Sequence, residues 1–389
     1  MKNLQTVLFL LVLCFAFQLD AQDKGRKYSN EFLSIGSGAR GIALGNAVTA
    51  LSSDINSAFY NPAGLVEIQD NLQVSLMHAE WFAGIGKYDY IGIGGPMKPK
   101  TAGSTKKRAM AGTFIRFGVD NIANTLNLYD ENGAIDYNNI TSLSAADYAV
   151  LFSYAETFTD KISLGANVKI IHRRIGRLAN SWGFGLDLGA KYKLNESFTL
   201  GVLAKDLTST FNAWSYNLTQ DEIDALVSTN NEVPSNSIEI TKPRIQLGIG
   251  YQKRFYLNKT NEEAVRKTGK SIGLAFGLDF DITTDGKRNV LLSANPISVN
   301  PAAGLELDYA GLLFLRGGVS NFQKSTTLTE KEFLAMQPSA GLGIRLWNVR
   351  LDYTFSNLGD QQEKNYSHVV SLLWKIDYEF FKAQLNSAG

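Results

Sequence analysis

The chain is almost without cysteine, poor in proline and evenly balanced in charge, and each shortage removes a class of protein. Its single cysteine is Cys14. If the leader described below is removed, no disulfide, thiol nucleophile or Cys-based metal site remains. There are 38 Lys and Arg against 37 Asp and Glu. No basic excess points to nucleic acid, and no acidic block suggests a disordered tail. The three histidines, His78, His172 and His368, stand alone, without a partner at metal-ligand spacing. Beyond residue 21 no apolar run is long enough for a membrane-spanning helix, which needs about 20 residues. A membrane form of this chain must therefore be a barrel, because only helices and closed barrels satisfy their backbone hydrogen bonds in lipid.

Proline numbers 8, while glycine (35), phenylalanine (22) and tyrosine (16) are plentiful. That is the material of strands and turns. The first residues read as a secretory signal: Lys2, the apolar run Val7 to Phe17, and Leu19-Asp20-Ala21 as a cleavage site before Gln22. Cys14 lies inside this segment, and the residue before it, Leu13, is too large for a lipoprotein site.

From Leu72 onward, apolar and polar residues alternate with period two, the signature of a strand with two unlike faces. Ile162, Leu164, Ala166, Val168 and Ile170 alternate with Ser163, Gly165, Asn167 and Lys169. Residues 181–193 and 271–282 repeat the pattern. A soluble sandwich also alternates, but its strands usually have about 5–6 residues, whereas tilted membrane strands need about 9–11. The longer segments, glycines and charges on the polar face (Lys169, Asp187, Lys191, Lys205, Asp279) and aromatics near segment ends (Tyr88, Tyr90, Tyr154, Trp182, Tyr192, Tyr251, Trp374) favour a membrane barrel.

Strands are expected near 72–79, 86–96, 108–117, 146–155, 161–172, 181–193, 197–206, 243–256, 271–282, 302–309, 312–319, 339–347, 349–356 and 366–380. This predicts an all-β, antiparallel outer-membrane barrel of about 14 strands, an even number as such barrels require. Long polar connections (118–145, 207–242, 283–301, 320–338) fall after odd strands and tight ones such as Asn195-Glu196 and Trp347-Asn348 after even strands. Long outer loops and short periplasmic turns have this asymmetry. The expected layout is a signal peptide at 1–21, an N-terminal periplasmic hatch at 22–71, the barrel at 72–381 and a tail at 382–389.

Residues 28–70 have different chemistry. Gly36, Gly38, Arg40, Gly41 and Gly45 are followed by Asp54 and by Tyr60-Asn61-Pro62-Ala63-Gly64. Glycine allows close backbone approach, and Asn-Pro sets a turn. No phosphate-loop lysine follows the glycines, so no nucleotide cradle is read here. Interspersed Phe32, Leu33, Ile42, Leu44, Val48, Leu51 and Phe59 predict a compact, packed hatch in the periplasmic mouth.

The blocks from Ser34 to Gly45 and from Ala58 to Leu65 resemble the N-terminal signature of FadL-like barrels. Within that superfamily the chain most resembles the PorV/PorQ family of the type IX secretion system. The agreement extends through Met77 to Ile85, Ile115 to Asp120, Val168 to Arg173, Phe211 to Ser215, Phe280 to Arg288 and Gly341 to Ile344. The last segment, with Trp374, Ile376, Tyr378 and Phe380, is similar to the insertion signal of such barrels, although eight residues follow Phe381. The resemblance implies a fourteen-stranded barrel with a hatch and a role in receiving exported cargo. Its implied partners are translocon or sortase-like attachment subunits and secreted proteins with C-terminal sorting domains. It implies no cofactor and no catalytic residue.

Open aqueous channels appear at about 16–18 strands, so a smaller, hatched barrel should bind cargo outside, at its long loops. Phe211, Trp214 and Tyr216 in 207–242, and Tyr129 and Tyr137 in 118–145, are candidate partner-binding aromatics; membrane-interface anchoring would use the same chemistry. His78 and Glu80 share a strand face and could form an acid–base pair, with a structural hydrogen bond the expected role. Asp279 with Asp281 and Arg350 with Asp352 fit lumen-facing charges that pair across strands. No nucleophile-elbow motif is present, and no enzymatic activity is expected. The competing expectation is transport of small hydrophobic compounds, the activity associated with FadL relatives.

Overall fold

The computed structural model describes residues 29–69, 71–98, 105–128, 134–257, 270–326, 332–357 and 366–377. The expected signal peptide, Tyr129, Tyr378, Phe380 and the 382–389 tail lie outside them.

Alternation produces strands wherever it was read. They are β1 (Asn71–Trp81), β2 (Gly86–Met97), β3 (Arg108–Asn124), β4 (Thr141–Thr157), β5 (Ile162–Ile175), β6 (Ala179–Lys193), β7 (Phe198–Lys205), β8 (Thr210–Tyr216) and β9 (Ser237–Thr241). The series continues with β10 (Arg244–Tyr256), β11 (Ser271–Thr283), β12 (Leu292–Ser293), β13 (Ser298–Tyr309), β14 (Leu313–Thr326), β15 (Glu332–Leu346), β16 (Val349–Asn357) and β17 (Tyr366–Asp377). Each pairs antiparallel with its neighbours, and β17 returns to β1 from Asn71↔Asp377 to Glu80↔His368. The wall thus has no edge to leave unpaired in lipid.

Two wall strands are interrupted, which reconciles these segments with a closed barrel of fourteen. β7 and β8 both pair with β6, at its inner and outer halves, and so form one broken strand. β9 and β10 form the next, pairing with β8 and β7. The first break contains Asp206 and Ser209 at positive φ; the second is Lys242-Pro243, where proline has no N–H to give the ladder. The β12 fragment is a short addition beside β13.

The pleat sorts the faces as expected. Leu164, Val168, Ile170, Trp182, Phe184, Leu188 and Phe276 are exposed on the outside, while Asn167, Lys169, Asp187, Lys191 and Asp279 are buried inside. A closed barrel with an apolar exterior is stable in a bilayer, not in water. One register row on the exterior, His78–Asp89–Arg116–Tyr148–His172–Trp182, crosses β1 to β6 near the outer end. Its aromatic and charged members mark the outer interface. His78 bonds Asp89 across this row at 2.7 Å, rather than its chain neighbour Glu80. Tyr88 and Tyr90 depart from the expected girdle: they sit on the inner pleat and are fully buried under the hatch.

Several expected loops are wall. The 118–145 stretch contains the outer ends of β3 and β4, and 320–338 those of β14 and β15. The 207–242 stretch holds β8, helix α3 (Gln220–Ser228, taking α1 and α2 for the hatch helices below) and β9. α3 is closed by a capping box between Thr219 and Glu222, and Arg177 pairs with Glu222. In the outer ends of β3 and β4 alternation is masked by polar residues such as Asp120, Ser142 and Ser144, whereas β8 and β9 alternate, with Phe211 and Ile238 outward, but are cut short by the two breaks.

Candidate functional site

Residues 29–69 are threaded through the barrel rather than seated in its periplasmic mouth. Ser29 donates to Glu239 of β9, and Asn30 donates to Thr241 at 2.8 Å, so the segment starts in the outer half of the lumen. It descends through α1 (Gly38–Ala43) and α2 (Ser57–Tyr60). At the inner end Glu67 meets Lys191 at 2.5 Å. The hatch and the inner wall share one core, with Ile42, Leu44, Phe59 and Tyr60 packed among Tyr88, Tyr90, Ile115 and Ile171.

The abundance of glycine has its explanation in this contact. A methyl group added at Gly277 would overlap the carbonyl of Ala47, and one at Gly304 that of Leu44. At Gly318 it would meet the backbone of Leu44 and Gly45; at Gly201 it would stand 2.6 Å from the Thr49 carbonyl. Gly165 and Gly189 receive Pro62 and Asn61 in the same way. The wall presents hydrogen atoms where the hatch backbone crosses it, and backbone cannot rotate aside as a side chain can. Most of the sequence-identified hatch residues build this fit. Gly36 and Gly38 hold φ of 121° and 69°, values that favour glycine. Gly41 leaves room for the Tyr60 ring, and Gly64 for the Ser52 carbonyl. Asn61 donates to the carbonyls of Thr49 (3.0 Å) and Ala190 (3.1 Å), tying hatch to hatch and hatch to wall. Its side chain also accepts from Ala63 N–H at the turn after Pro62. Tyr60 donates to Asn46 and accepts from Ser37 N–H. Burial raises its pKa, so the hydroxyl stays protonated.

Charge fixes the hatch at several further points. Arg40 makes a two-pronged contact with Glu306, at 2.8 and 2.9 Å. Glu306 also accepts from Arg316 at 2.5 Å, Arg316 reaches Asp352 at 2.8 Å, and Asp352 accepts from Arg350 at 2.7 Å. Arg350 then returns to the hatch at Asp54, 3.2 Å away. Burial alone would raise the Asp54 pKa, but Arg350 and Arg40 overcome it and leave it below its ordinary 3.8. Elsewhere Thr49 N–H donates to Asp279 at 2.9 Å, and Arg288 of the 284–297 connection reaches Glu31 at 3.1 Å. Lys169 closes the β7/β8 break, contacting Asp187 at 2.7 Å and Asp206 at 2.5 Å.

The hatch divides the lumen into two vestibules. The outer one, about 640 Å³, is lined by Ile35, Ile42, Trp81, Phe82 and Phe117 together with Arg244, Asp281, Arg288 and Asn300. The inner one, about 720 Å³, is lined by Arg40, Asp54, Glu306, Arg345, Arg350 and Lys375, among others. Both volumes fall in the range of small-molecule sites, roughly 300–1,000 Å³. The hatch residues 40–54 contribute to both linings and form the partition.

The expected partner-binding aromatics are not brought together. Phe211 faces outward from β8, half-exposed. Trp214 points inward, with its indole N–H donating to Glu239 at 2.8 Å and Arg173 over its ring. Tyr216 stacks beside Trp214 at the strand end. Among the described candidates only Tyr137, in a short 3-10 turn at the outer end, is fully presented, at 73% exposure. Phe211 and Trp214 fail as a loop cluster because they lie three positions apart on one strand, and positions an odd number apart point to opposite faces. Arg345, Lys375 and Arg288 escaped sequence reasoning. They come from unlike segments; strand pairing brings Arg345 and Lys375 to the inner vestibule, and Arg288 lines the outer one.

No protein-family model and no curated protein matches the sequence. Solved structures do match by shape. The monoaromatic hydrocarbon channel CymD superposes with a TM-score of 0.52 at 12% identity, covering 88% of this chain and 98% of its own. The toluene transporters TbuX of Ralstonia pickettii and TodX of Pseudomonas putida each give 0.50 at 12% identity, with the same coverage. The fold is that of FadL-like outer-membrane barrels. At this identity the likeness establishes architecture, and the hatch and its two vestibules are built here from this chain's own residues.

Proposed function

We propose that this protein is an outer-membrane transporter of small hydrophobic compounds. One observation carries the reading: two vestibules of molecular size face each other across a partition one hatch segment thick. The outer chamber offers Ile35, Ile42, Trp81, Phe82 and Phe117 as an apolar surface, with polar groups on the opposite side to orient a ligand. Passage requires residues 40–54 to shift, not the barrel to widen. The solved barrels of similar fold, described as channels or transporters for toluene and monoaromatic hydrocarbons, support the same reading. The test is uptake of labelled toluene and longer-chain hydrocarbons by a deletion strain complemented with wild type or with Ile42→Glu. Restoration by wild type and not by the variant is expected. Unchanged uptake on deletion would refute it.

A second reading is favoured by a different feature. The hatch is bolted by backbone contact and buried ion pairs, and the rim is tall on one side. β3 and β4 have 17 residues each, well beyond the roughly 9–11 that cross a bilayer. A plugged barrel with a raised rim suits an accessory of type IX secretion, receiving cargo with C-terminal sorting domains and passing it to translocon or sortase-like subunits. Cargo retained in the periplasm of the deletion strain, with normal hydrocarbon uptake, would favour it over transport.

A further inference from the structure

The inner vestibule contains positive charge that the protein does not neutralise. Four carboxylates line it: Asp54, Glu67, Glu306 and Asp308. Every oxygen of these four is already engaged. Asp54 accepts from Asn56 N–H and Arg350; Glu67 accepts from Lys191 and stands 3.7 Å from Lys193 in an ion pair; Glu306 accepts from Arg40 and Arg316. Asp308 accepts from Arg254 at 3.0 Å and from Gly311 N–H at 2.7 Å. Asp352, behind them, is shared by Arg316 and Arg350.

Arg345 and Lys375 line the same chamber. Among the described residues neither forms an ion pair; Arg345 has only the Phe314 ring, 5.3 Å from its guanidinium carbon. Their placement makes this costly. Arg345 on β15 is the direct cross-strand partner of Arg350 on β16. Arg350 in turn pairs with Leu373 on β17, which places Lys375 at the diagonal position on the inner pleat. Like charges directly opposite are destabilising, and three cations occupy adjoining register positions on three neighbouring strands. Arginine and lysine side chains that converge on a chamber without a free carboxylate supply an anion site.

We infer that the inner vestibule binds a small organic anion, a carboxylate or phosphate ester, through Arg345 and Lys375. The chamber of about 720 Å³ accommodates a small organic molecule beside the charged pair. Ala275 and Leu373 in its lining offer a patch for a short apolar portion. The same chemistry is available from a soluble acid and from a phospholipid headgroup. The inference is independent of which solute, if any, crosses the hatch, because the chamber exists with the hatch closed.

The test uses the full-length barrel in nonionic detergent. Isothermal titration with hexanoate and with phenyl phosphate, and with hexan-1-ol as the neutral analogue, compares wild type with Arg345→Gln, Lys375→Gln and the double variant. Folding of each is verified by heat-modifiable migration. Lys87→Gln, a cation on the outer face of β2, serves as control. Both anions should bind wild type and hexan-1-ol should not. The double variant should bind at least tenfold more weakly, with Lys87→Gln unchanged. Equal affinity in the double variant, equal binding of hexan-1-ol, or no binding of either anion to wild type at millimolar concentration would overturn the inference. Native mass spectrometry distinguishes the sources. Phospholipid carried by wild type and lost from the double variant identifies a headgroup; hexanoate binding to lipid-free protein identifies a soluble acid.

Discussion

Removing the Arg40 tether should loosen the hatch without weakening the wall. Arg40 joins Glu306 through two charge-assisted hydrogen bonds, and both side chains are largely shielded from solvent. In Arg40→Met the Glu306 carboxylate keeps Arg316 at 2.5 Å, so no uncompensated charge is left in the lumen. The full penalty for breaking a buried pair, about 3–5 kcal/mol, therefore does not apply. The loss should be nearer the worth of hydrogen bonds to charged groups, about 2–3 kcal/mol in all. At about 1.4 kcal/mol per factor of ten, the displaced hatch becomes roughly 30- to 140-fold more populated. The wall strands keep their ladders, so heat-modifiable migration should be unchanged. The assay is single-channel recording in planar bilayers, with proteolysis of the hatch as a second probe. Wild type should be closed with rare openings, and the variant should open more often by that factor. Asp54→Asn cuts the other end of the chain of ion pairs. The two substitutions share that network, so their combined effect should depart from the sum. A folded Arg40→Met barrel with wild-type conductance and wild-type proteolysis would refute the claim that this network holds the partition.

Gly304→Ala should displace the hatch at Leu44 and cost about 1–3 kcal/mol as an overpacked contact. Gly112→Ala, with nothing within 4 Å of the added carbon, should be neutral in the same urea titration. Trp214→Phe removes the indole donor to buried Glu239, which retains Ser29 and Arg173. A loss of about 1 kcal/mol in the urea midpoint is expected, with faster proteolysis near Ser29. The Asp54 pKa is lowered by folding, so its contribution is fully present above the ordinary value of 3.8 and is lost as pH falls through the lowered value. Hatch proteolysis by an acid-stable protease should be flat from neutral pH to about 5 and rise only below about 4; a rise at pH 5–6 would contradict the assignment.

The wall was largely legible in the chain. Period-two alternation at 161–193 and 271–282 places side chains on two faces whatever their distant neighbours, because the pleat is local. Strand positions such as 86–96, 349–356 and 271–282 therefore match the observed β2, β16 and β11 closely. The segments 210–216 and 237–241 were not legible as strands. They alternate, with Phe211, Ile238 and Ile240 opposite Asn212 and Glu239, but over only seven and five residues, because the breaks after Lys205 and at Lys242-Pro243 cut them off from β7 and β10. Tyr88 and Tyr90 show the opposite limit, since an aromatic residue has the same signature at a membrane interface and in a hatch core.

Composition and periodicity by themselves determined that this chain closes a β wall with an apolar outside. The absence of a long apolar run and the alternation leave no other membrane form. They also set apart the glycine-rich first segment as a separate piece. Only the tertiary structure decided where that segment lies, because its partners are spread over the chain from Gln73 to Ser371. Their convergence is a consequence of barrel closure. Whether an inward glycine lines water or receives backbone, and whether an inward arginine finds a carboxylate, depends on contacts between strands far apart in sequence. Local sequence fixes the face of each side chain; closure fixes what that face meets.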